Sequence, residues 1–422
     1  MTRTILTCIL LLLPAFAFAG DFEDGQAAHV KKDYDVAIAC YTAFIRKNPH
    51  SVEAYNNRGN VYSDKKEYDK AVEDFSEAIR LDPKEAIFYK GRASAYDGMK
   101  EYDKAIEGYS EAIRLDPKFT YAFYGRANAY HSKKEHDKAI EDYSEATRLD
   151  PKFTYPFHGR GISYSSKKEY DKAIQDYSEA IRLDPKFHQA FYDRGIAYND
   201  KKEYDKAIGD YSETIRLDPK YALAFGGRGL AYYNKKEYDR AIVDYSEAIR
   251  LDPKYALGYY YRGVSYFSKK EYDKAIVDYS EAIRLDPKIP LSFNGRGNVY
   301  LVKKEYDRAI GDYSQAVRLA PNDGNTHAWL AWVLATCPKD GVRDGKRAVE
   351  HAEKACELSQ WKNASTLDSL AAAKAESGNF MEAVKWQKKA LELGYSDKED
   401  TENASQRLKM YEEGKPYRND KQ

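Results

Sequence analysis

The sequence predicts an all-α array of helix pairs stacked side by side, and three observations lead to this fold class. The motif Leu-Asp-Pro-Lys returns every 34 residues from Pro83 to Pro287, with degenerate copies at Pro49 and Pro321. Between these prolines, apolar residues follow the helical period in two separate stretches. A unit of this size cannot bury its own apolar face, so tandem units are expected to pack against one another as a solenoid.

The first complete unit, residues 52–85, shows why each unit is a pair of helices. One apolar series has helical spacing, and a second such series follows a short charged break. Asp82-Pro83 ends the second helix, because proline lacks an amide hydrogen and disfavours helix in the residue before it. The first series is Tyr55, Gly59 and Tyr62, and the second is Tyr68, Ala71, Phe75 and Ala78.

These residues resemble the tetratricopeptide repeat, a 34-residue unit with characteristic small, aromatic and proline positions. In this chain the pattern reads Tyr55-x2-Arg58-Gly59-x2-Tyr62, then Ala71-x3-Phe75, then Pro83. The resemblance implies a right-handed superhelical solenoid of antiparallel helix pairs. It covers residues 20–393, as a degenerate first repeat (20–51), eight regular repeats (52–323) and two divergent repeats (324–393). A capping helix and a flexible tail are expected over residues 394–422.

The N-terminal segment has the features of a secretory signal peptide over residues 1–19. Arg3 precedes an apolar run, and Ala17-Phe18-Ala19 places small residues where a signal peptidase cleaves before Gly20. The apolar run is short for a membrane span, which needs about 20 residues. We therefore expect a periplasmic or secreted protein without membrane insertion after cleavage, and an uncleaved anchor is the alternative.

Charge and composition argue against several classes of partner and against catalysis. Lys plus Arg equals Asp plus Glu at 68 each, so no net positive field attracts nucleic acid or anionic lipid. No HExxH motif or cysteine pair indicates a metal site. The glycine pair around Arg160 falls inside a predicted helix, where it cannot form a phosphate-binding loop. We expect no enzyme activity, no cofactor and no metal.

Three cysteines remain after the predicted cleavage, and an odd number cannot all pair within one chain. In the repeat register Cys337 ends the first helix of a pair and Cys356 ends the second. Antiparallel packing holds such positions too far apart for a disulfide, which needs α-carbons within about 7 Å. We expect buried thiols at Cys40, Cys337 and Cys356.

An arginine stands where the family pattern has leucine in all eight regular repeats. Next to a core stripe, its guanidinium needs water or a charged partner. An aspartate precedes the core aromatic of most second helices, so we expect ion pairs across each helix pair or across the seam between repeats. Gly108 replaces this aspartate in the second regular repeat. The alternative is a row of arginines that binds an anionic ligand. The arginines are Arg58, Arg92, Arg126, Arg160, Arg194, Arg228, Arg262 and Arg296, and the aspartates are Asp74, Asp142, Asp176, Asp210, Asp244, Asp278 and Asp312.

The resemblance also implies that one face of the first helices lines a concave groove. This face lies one residue beyond the core stripe and varies between repeats, whereas the framework is constant. Aromatic rings flanked by amides are typical of a peptide-binding surface, and we expect exposed rings around Tyr260, Tyr261 and Phe267. Ordinary surface tyrosines without a binding role are the alternative. The predicted peptide-binding residues are Asn56, Asn60, Lys90, Tyr124, Asn128, His158, Tyr192, Asn199, Tyr233, Tyr260, Tyr261, Phe267, Asn294 and Asn298.

The expected function is that of a non-catalytic scaffold or adaptor of the cell envelope, which binds extended segments of other proteins or peptides in this groove. Two alternatives stay open. Tyrosine faces also stack on sugar rings, so the chain could be a carbohydrate-binding module of polysaccharide or cell-wall machinery. It could also be an accessory subunit of an enzyme complex. The identity of the partner and the oligomeric state do not follow from the sequence.

Overall fold

The computed structural model describes residues 22–419, and every element within that range is a helix. The helices follow one another in pairs along the chain. Their bounds are α1 Phe22–Val30, α2 Tyr34–Lys47, α3 Val52–Asp64, α4 Tyr68–Leu81, α5 Ala86–Gly98, α6 Tyr102–Leu115, α7 Thr120–Ser132, α8 His136–Leu149, α9 Thr154–Ser166, α10 Tyr170–Leu183, α11 His188–Asp200, α12 Tyr204–Leu217, α13 Ala222–Asn234, α14 Tyr238–Leu251, α15 Ala256–Ser268, α16 Tyr272–Leu285, α17 Pro290–Val302, α18 Tyr306–Leu319, α19 Gly324–Thr336, a short 3-10 helix Asp340–Val342, α20 Gly345–Leu358, α21 Ala364–Glu376, α22 Phe380–Leu393 and α23 Lys398–Glu412.

The helix pair predicted for each regular repeat is confirmed. In the first regular repeat, α3 has 13 residues and α4 has 14. The break between them is a tight turn in which Lys66 adopts a left-handed backbone, with φ of 64°. The amide of Glu67 donates to the carbonyl of Tyr62 over 2.8 Å, which satisfies one of the free carbonyls at the end of α3.

The chain divides into two compact units, one ending at Lys201 and the other beginning at Lys202. In the first unit, helices α1 to α10 pack as pairs, and each second helix then packs on the next first helix, through α11. The second unit repeats this order from α12 through α22, and α23 lies against α22. Each unit therefore has the neighbour-on-neighbour packing of a repeat array.

The interior consists mainly of alanines and one buried aromatic ring from each regular second helix. Phe75 of α4 is fully buried, and glycines of α3 and α5 lie against its ring. A Cβ atom added to Gly91 would lie 2.5 Å from Cε1 of Phe75. Glycine is required at this position because a backbone and a ring from adjacent repeats approach so closely.

The three cysteines of the described range are buried and free, as predicted. Burial raises the pKa of the Cys356 thiol to about 11. A thiol with this pKa is almost entirely protonated near neutral pH, and the protonated form is a poor nucleophile and metal ligand. These cysteines are structural residues.

The C-terminal capping helix is present as α23, and residues 417–419 of the expected tail contact the helices before it. The backbone amide of Asn419 donates to the carbonyl of Thr336 over 2.9 Å. Arg418 forms an ion pair with Glu376 at 2.7 Å, and the ring of Tyr417 lies 5.9 Å from that of Trp332. These contacts hold the segment against α19 and α21.

The predicted signal peptide, residues 1–19, lies outside the described residues. Among the helices of residues 22–419, none has both the length and the apolar character that a membrane span requires.

Candidate binding surface of the first helices

The predicted groove residues lie where consecutive first helices meet. In the first unit α3 lies against α5, α5 against α7, α7 against α9 and α9 against α11, and in the second unit α13, α15 and α17 follow the same order. Side chains of the variable stripe therefore have two possible roles. Some join one first helix to the next, and others face solvent.

Two predicted binding residues join neighbouring first helices. Nε2 of His158 on α9 lies 2.7 Å from Oδ2 of Asp193 on α11. Nδ2 of Asn294 on α17 donates to Oγ1 of Thr326 on α19 over 2.7 Å. Asn294 is only 4% exposed, so the expectation of a surface amide is wrong at this position. Its side chain closes the seam between two repeats.

Two further amides bind tyrosine hydroxyls of the core. The Tyr143 hydroxyl donates to Oδ1 of Asn128, and the Tyr313 hydroxyl donates to Oδ1 of Asn298, each over 2.6 Å. A buried phenol needs a hydrogen-bond acceptor, and these asparagines supply one. By contrast, Asn60 is exposed.

The prediction of exposed aromatic rings in the second unit is wrong. Tyr260, Tyr261 and Phe267 are half-buried. The ring of Tyr260 lies 5.1 Å from that of Tyr261 and 5.9 Å from that of Tyr279, and Tyr261 stacks on Tyr245. Burial raises the pKa of Tyr260 to about 12. These rings fill the spaces between helices, so they pack against neighbouring repeats instead of projecting into solvent.

The other predicted residues of the stripe are half-buried. Asn56, Lys90, Tyr124, Tyr192, Asn199 and Tyr233 all belong to this group. Burial lowers the pKa of Lys90 and raises that of Asp97, which lies about two turns further along the same face of α5. The hydroxyl of Tyr233 lies 3.4 Å from Oγ of Ser268 on the next first helix. The stripe is thus a partly enclosed seam, and Asn60 is the predicted binding residue that remains exposed.

The sequence analysis missed an aromatic surface at the starts of α7, α9 and α11, which we call the aromatic edge. It consists of Tyr121, Phe153, Tyr155 and Phe187. Tyr121 is 57% exposed and Tyr155 is 55% exposed. The ring of Phe153 lies 5.0 Å from that of Tyr121 and 6.0 Å from that of Tyr155. The ring of Phe187 lies 5.5 Å from that of Tyr155. The four rings form one continuous apolar patch.

The aromatic edge adjoins the predicted stripe. The ring of Tyr124 lies 5.2 Å from that of Phe153, and the ring of His158 lies 4.8 Å from that of Phe187. The 34-residue spacing of Tyr121 and Tyr155 could have revealed the edge in the sequence. It was missed because these residues precede the stripe and belong to the first turn of each helix. The same register position holds exposed Ile87, Leu223, Leu257 and Leu291 in other repeats.

The arginine column is structural in the repeats where it is paired. Nε and Nη2 of Arg58 donate to the carboxylate of Asp74 over 2.8 and 2.7 Å, and Nη1 donates to Oγ1 of Thr42 over 2.9 Å. One arginine therefore joins the two helices of its own repeat and the second helix of the preceding repeat. The same carboxylate pairing occurs for Arg126 with Asp142, Arg160 with Asp176, Arg228 with Asp244, Arg262 with Asp278 and Arg296 with Asp312.

These ion pairs confirm the pairing hypothesis, and each of them joins the two helices of one repeat. The seam is crossed by a hydrogen bond from the same guanidinium to a neutral hydroxyl, as from Arg58 to Thr42. Arg194 keeps the seam contact, with Nη1 donating to Oγ of Ser178 over 2.8 Å. Arg92 differs from the paired members of the column, because Gly108 replaces its aspartate.

The described residues offer no group of three or more His, Cys, Asp or Glu side chains that could hold a metal ion. Gly159 and Gly161 lie inside α9, so their spacing does not form a phosphate-binding loop. The surface is suited to contacts with other molecules through rings, amides and aliphatic groups.

A chain of helix pairs with a constant core and a variable face belongs to the class of helical repeat proteins. Family models agree with this class. One described as tetratricopeptide repeat matches residues 52–85, 120–153, 256–289 and 290–323. Another, described as TPR repeat, matches residues 98–134, 161–200, 195–236 and 229–270. Together they span more than half of the sequence, and the chain belongs to the tetratricopeptide repeat family.

Several solved structures are similar to this chain over part or most of its length. YrrB, a tetratricopeptide repeat protein with an unusual peptide-binding site, is 24% identical over 44% of this chain and 96% of its own, with a TM-score of 0.40. Yeast Tom70 is 18% identical over 93% of this chain and 94% of its own, with a TM-score of 0.44. The APC/C hetero-tetramer Cut9–Hcn1 is 15% identical over 92% of this chain and 95% of that one, with a TM-score of 0.49. No curated protein matches the sequence.

Tetratricopeptide repeat proteins are generally non-catalytic scaffolds, and membership of this family supports a role in protein–protein interaction.

Proposed function

We propose that this protein is a non-catalytic scaffold of the cell envelope that binds extended segments of partner proteins along its first helices. The aromatic edge is the observation that supports this proposal most directly. Tyr121 and Tyr155 are each more than half exposed, and both rings lie next to that of Phe153. Such rings present a large and rigid contact area at low entropic cost. The proposed occupant is an unfolded polypeptide segment whose apolar side chains contact these rings.

The seam next to the edge supplies polar groups for such a segment. The phenol of Tyr124 adjoins the edge, and an extended peptide has an unpaired amide and carbonyl at nearly every residue. Rings that anchor side chains and polar groups that bind the backbone together suit an extended ligand.

The test is a binding measurement with peptides. An array of unstructured peptides first identifies sequences that the native protein binds, and fluorescence anisotropy then gives their affinities. Replacing both exposed tyrosines, in Tyr121→Ser/Tyr155→Ser, should weaken binding by about tenfold or more, because two anchors worth at least about 0.7 kcal/mol each are lost.

The matched control is Val243→Ser/Val277→Ser on the second helices α14 and α16, where both valines are 67% exposed. This variant also removes two exposed apolar side chains, but it should leave peptide affinity unchanged. Circular dichroism checks that both variants keep their helices. Equal affinity of the tyrosine variant and the native protein would refute the proposal.

A carbohydrate ligand is the second candidate, because exposed tyrosine rings also stack on sugars. Titration of the same proteins with oligosaccharides distinguishes the two. Binding of a glycan, lost in the tyrosine variant and accompanied by no peptide binding, would favour the carbohydrate-binding alternative. Copurification of a catalytic chain would favour the accessory-subunit alternative.

Tyr260, Tyr261 and Phe267 also belong to the predicted binding stripe, but replacing all three by alanine would be a poor test of binding. These rings are half-buried and pack against the core of their repeats. Their removal would leave cavities and destabilise the fold.

A further inference from the structure

We propose that the second regular repeat contains a carboxylate-binding site at Arg92, in the position that a buried aspartate of the chain itself fills in sister repeats. The proposal is independent of the aromatic edge. It rests on the geometry of the paired repeats and on the missing partner of Arg92. The cavity beside Arg92 provides access, as similar cavities do beside the paired Arg160 and Arg228.

The sister repeats show what this position holds. In the third regular repeat, Nε and Nη2 of Arg126 donate to Oδ2 and Oδ1 of Asp142 over 2.7 and 2.8 Å. Asp142 is only 6% exposed. Two parallel hydrogen bonds between a guanidinium and a carboxylate fix both the charge and the planar shape of the ligand. The chain therefore contains several copies of an arginine site that holds a carboxylate.

The second regular repeat keeps the arginine and lacks the acid. Gly108 occupies the position of the aspartate on α6. Nη1 of Arg92 still donates to Oγ of Ser76, at 3.3 Å. Nε of Arg92 is buried and has no hydrogen-bond partner among the described residues. A buried donor without a partner costs about 1–3 kcal/mol, so a ligand that accepts from it removes this penalty.

A cavity of about 330 Å³ lies beside the guanidinium. Tyr89 and Tyr96 of α5 line one side, and Lys104 and Glu111 of α6 line the other. The guanidinium carbon of Arg92 lies 5.8 Å from the centre of the Tyr89 ring. The cavity is open to solvent, and a ligand can enter without movement of a helix.

Glu107 and Glu111 also border the cavity, and they differ in their hydrogen bonding. Both carboxylate oxygens of Glu111 accept hydrogen bonds from Arg114, over 2.8 and 2.6 Å, so this glutamate is already paired. Glu107 is exposed and precedes Gly108. Its charge opposes the binding of an anion, which makes it the natural position for a second variant.

The ligand class follows from the sister sites. Since the same arginine fork holds an aspartate side chain elsewhere in the chain, the chemical group that fits Arg92 is a carboxylate. It can come from an aspartate or glutamate of a partner protein or from a free small carboxylate. These two sources share their chemistry, and the choice of probe separates them.

The first probe is sodium acetate, added to the full-length protein labelled with [15N]arginine. The NMR signal of the Arg92 Nε–H group, assigned by its loss in Arg92→Lys, should shift saturably with acetate and stay unchanged with equal sodium chloride. The second probe is N-acetyl-aspartate amide, which presents the carboxylate as a peptide does. Tighter binding of this probe than of acetate identifies a peptide source, and equal binding identifies a free carboxylate.

Gly108→Asp is the decisive variant, because it restores the acid of the sister repeats. It should abolish the response of the Arg92 signal to acetate. A Cβ atom added at position 108 would lie 2.9 Å from Cβ of Ala93, so α5 and α6 must move apart slightly to admit the aspartate. Repeat three has the same combination, Ala127 with Asp142, and circular dichroism checks that the variant keeps its helices. Gly311→Asp on α18 is the matched control, since its Cβ meets no atom within 4 Å, and it should leave the response intact.

Glu107→Gln tests the same site without adding a partner. Removal of one exposed like charge should tighten acetate binding by about two- to fivefold. The proposal is overturned if the Arg92 signal ignores acetate in both the native protein and Glu107→Gln. It is also overturned if a folded Gly108→Asp protein responds to acetate as the native protein does.

Discussion

At the scale of single residues, the sequence pattern did not show the backbone conformation of the lysines in the turns between paired helices. The second lysine of each Lys-Lys-Glu turn has a left-handed backbone, with φ of 63° at Lys134. Residues other than glycine pay about 1–2 kcal/mol for this conformation. In the last divergent repeat the turn carries Gly378 instead, with φ of 82°. The charge of these lysines suggested only a solvated turn.

We predict that Lys134→Gly stabilises the protein by up to about 1 kcal/mol. Glycine removes the strain of the left-handed backbone, and part of the gain is offset by its larger entropy in the unfolded chain. Urea unfolding gives the difference in free energy of unfolding. Lys134→Ala is the control, because it removes the same side chain and keeps the Cβ atom. A glycine variant no more stable than the alanine variant would contradict the explanation.

The arginine column shows how much a residue pattern can predict. The alternation of Arg58 and its equivalents with the aspartate column indicated ion pairs, and the pairs are present. The pattern could not show that a hydroxyl of the preceding repeat, such as Thr42, completes the contact. That bond depends on how closely two repeats stack.

At the scale of helices and helix pairs, the divergent repeat formed by α19 and α20 has a feature of its own. Nδ1 of His327 on α19 lies 3.1 Å from Nδ1 of His351 on α20. One nitrogen must donate and the other accept, so the contact fails when both rings are protonated. Burial lowers the pKa of both histidines, and each also lies near a cation, Lys354 for His327 and Arg347 for His351.

We predict that the stability of the protein falls as the pH drops below about 6.5, the ordinary pKa of histidine. The unfolded chain takes up protons at these histidines before the folded protein does, because the folded-state pKa values are lowered. The free energy of unfolding therefore decreases as pH falls through this range. Urea unfolding between pH 7.5 and 5.5 measures the effect.

The comparison protein for this prediction is His351→Gln. It leaves His327 with a neutral neighbour and should show a weaker dependence of stability on pH than the native protein. An identical pH dependence in the two proteins would mean that other groups cause it.

The capping helix α23 is joined to α21 by a buried ion pair. Nε and Nη2 of Arg407 donate to the two carboxylate oxygens of Asp368 on α21, over 3.0 and 2.6 Å. Both residues are buried. The sequence analysis predicted a capping helix within residues 394–422, whereas the pairing of an arginine with an acid 39 residues earlier could be found only in the tertiary structure.

At the scale of the whole molecule, zero net charge is accompanied by extensive ion pairing between repeats. Lysines at the ends of first helices pair with aspartates at the starts of the preceding second helices, as in Lys133 with Asp103 and Lys167 with Asp137. Met99 replaces this lysine in the second regular repeat. The repeat that lacks the acid beside Arg92 therefore also lacks one surface ion pair.

We predict that the mature protein begins at Gly20. A basic start, an apolar run and Ala17-Phe18-Ala19 are the features that a signal peptidase recognises. Intact-mass analysis and N-terminal sequencing of protein from a periplasmic or culture fraction measure the cleavage. Ala19→Arg should block it and retain the full-length chain. A native protein that keeps Met1 would contradict the prediction and favour the membrane anchor.

The sequence by itself determined the helix pairs, their 34-residue repeat, the alanine and aromatic core and the ionic pairing, because each depends on local spacing that recurs in every unit. The tertiary structure decided which side chains are accessible. Tyr260 and Asn294 share a stripe on the sequence with exposed residues, but neighbouring helices cover them, whereas Tyr121 and Tyr155 project at helix starts that no neighbour covers. Exposure depends on the distance between stacked repeats, and the period of a sequence does not contain that distance.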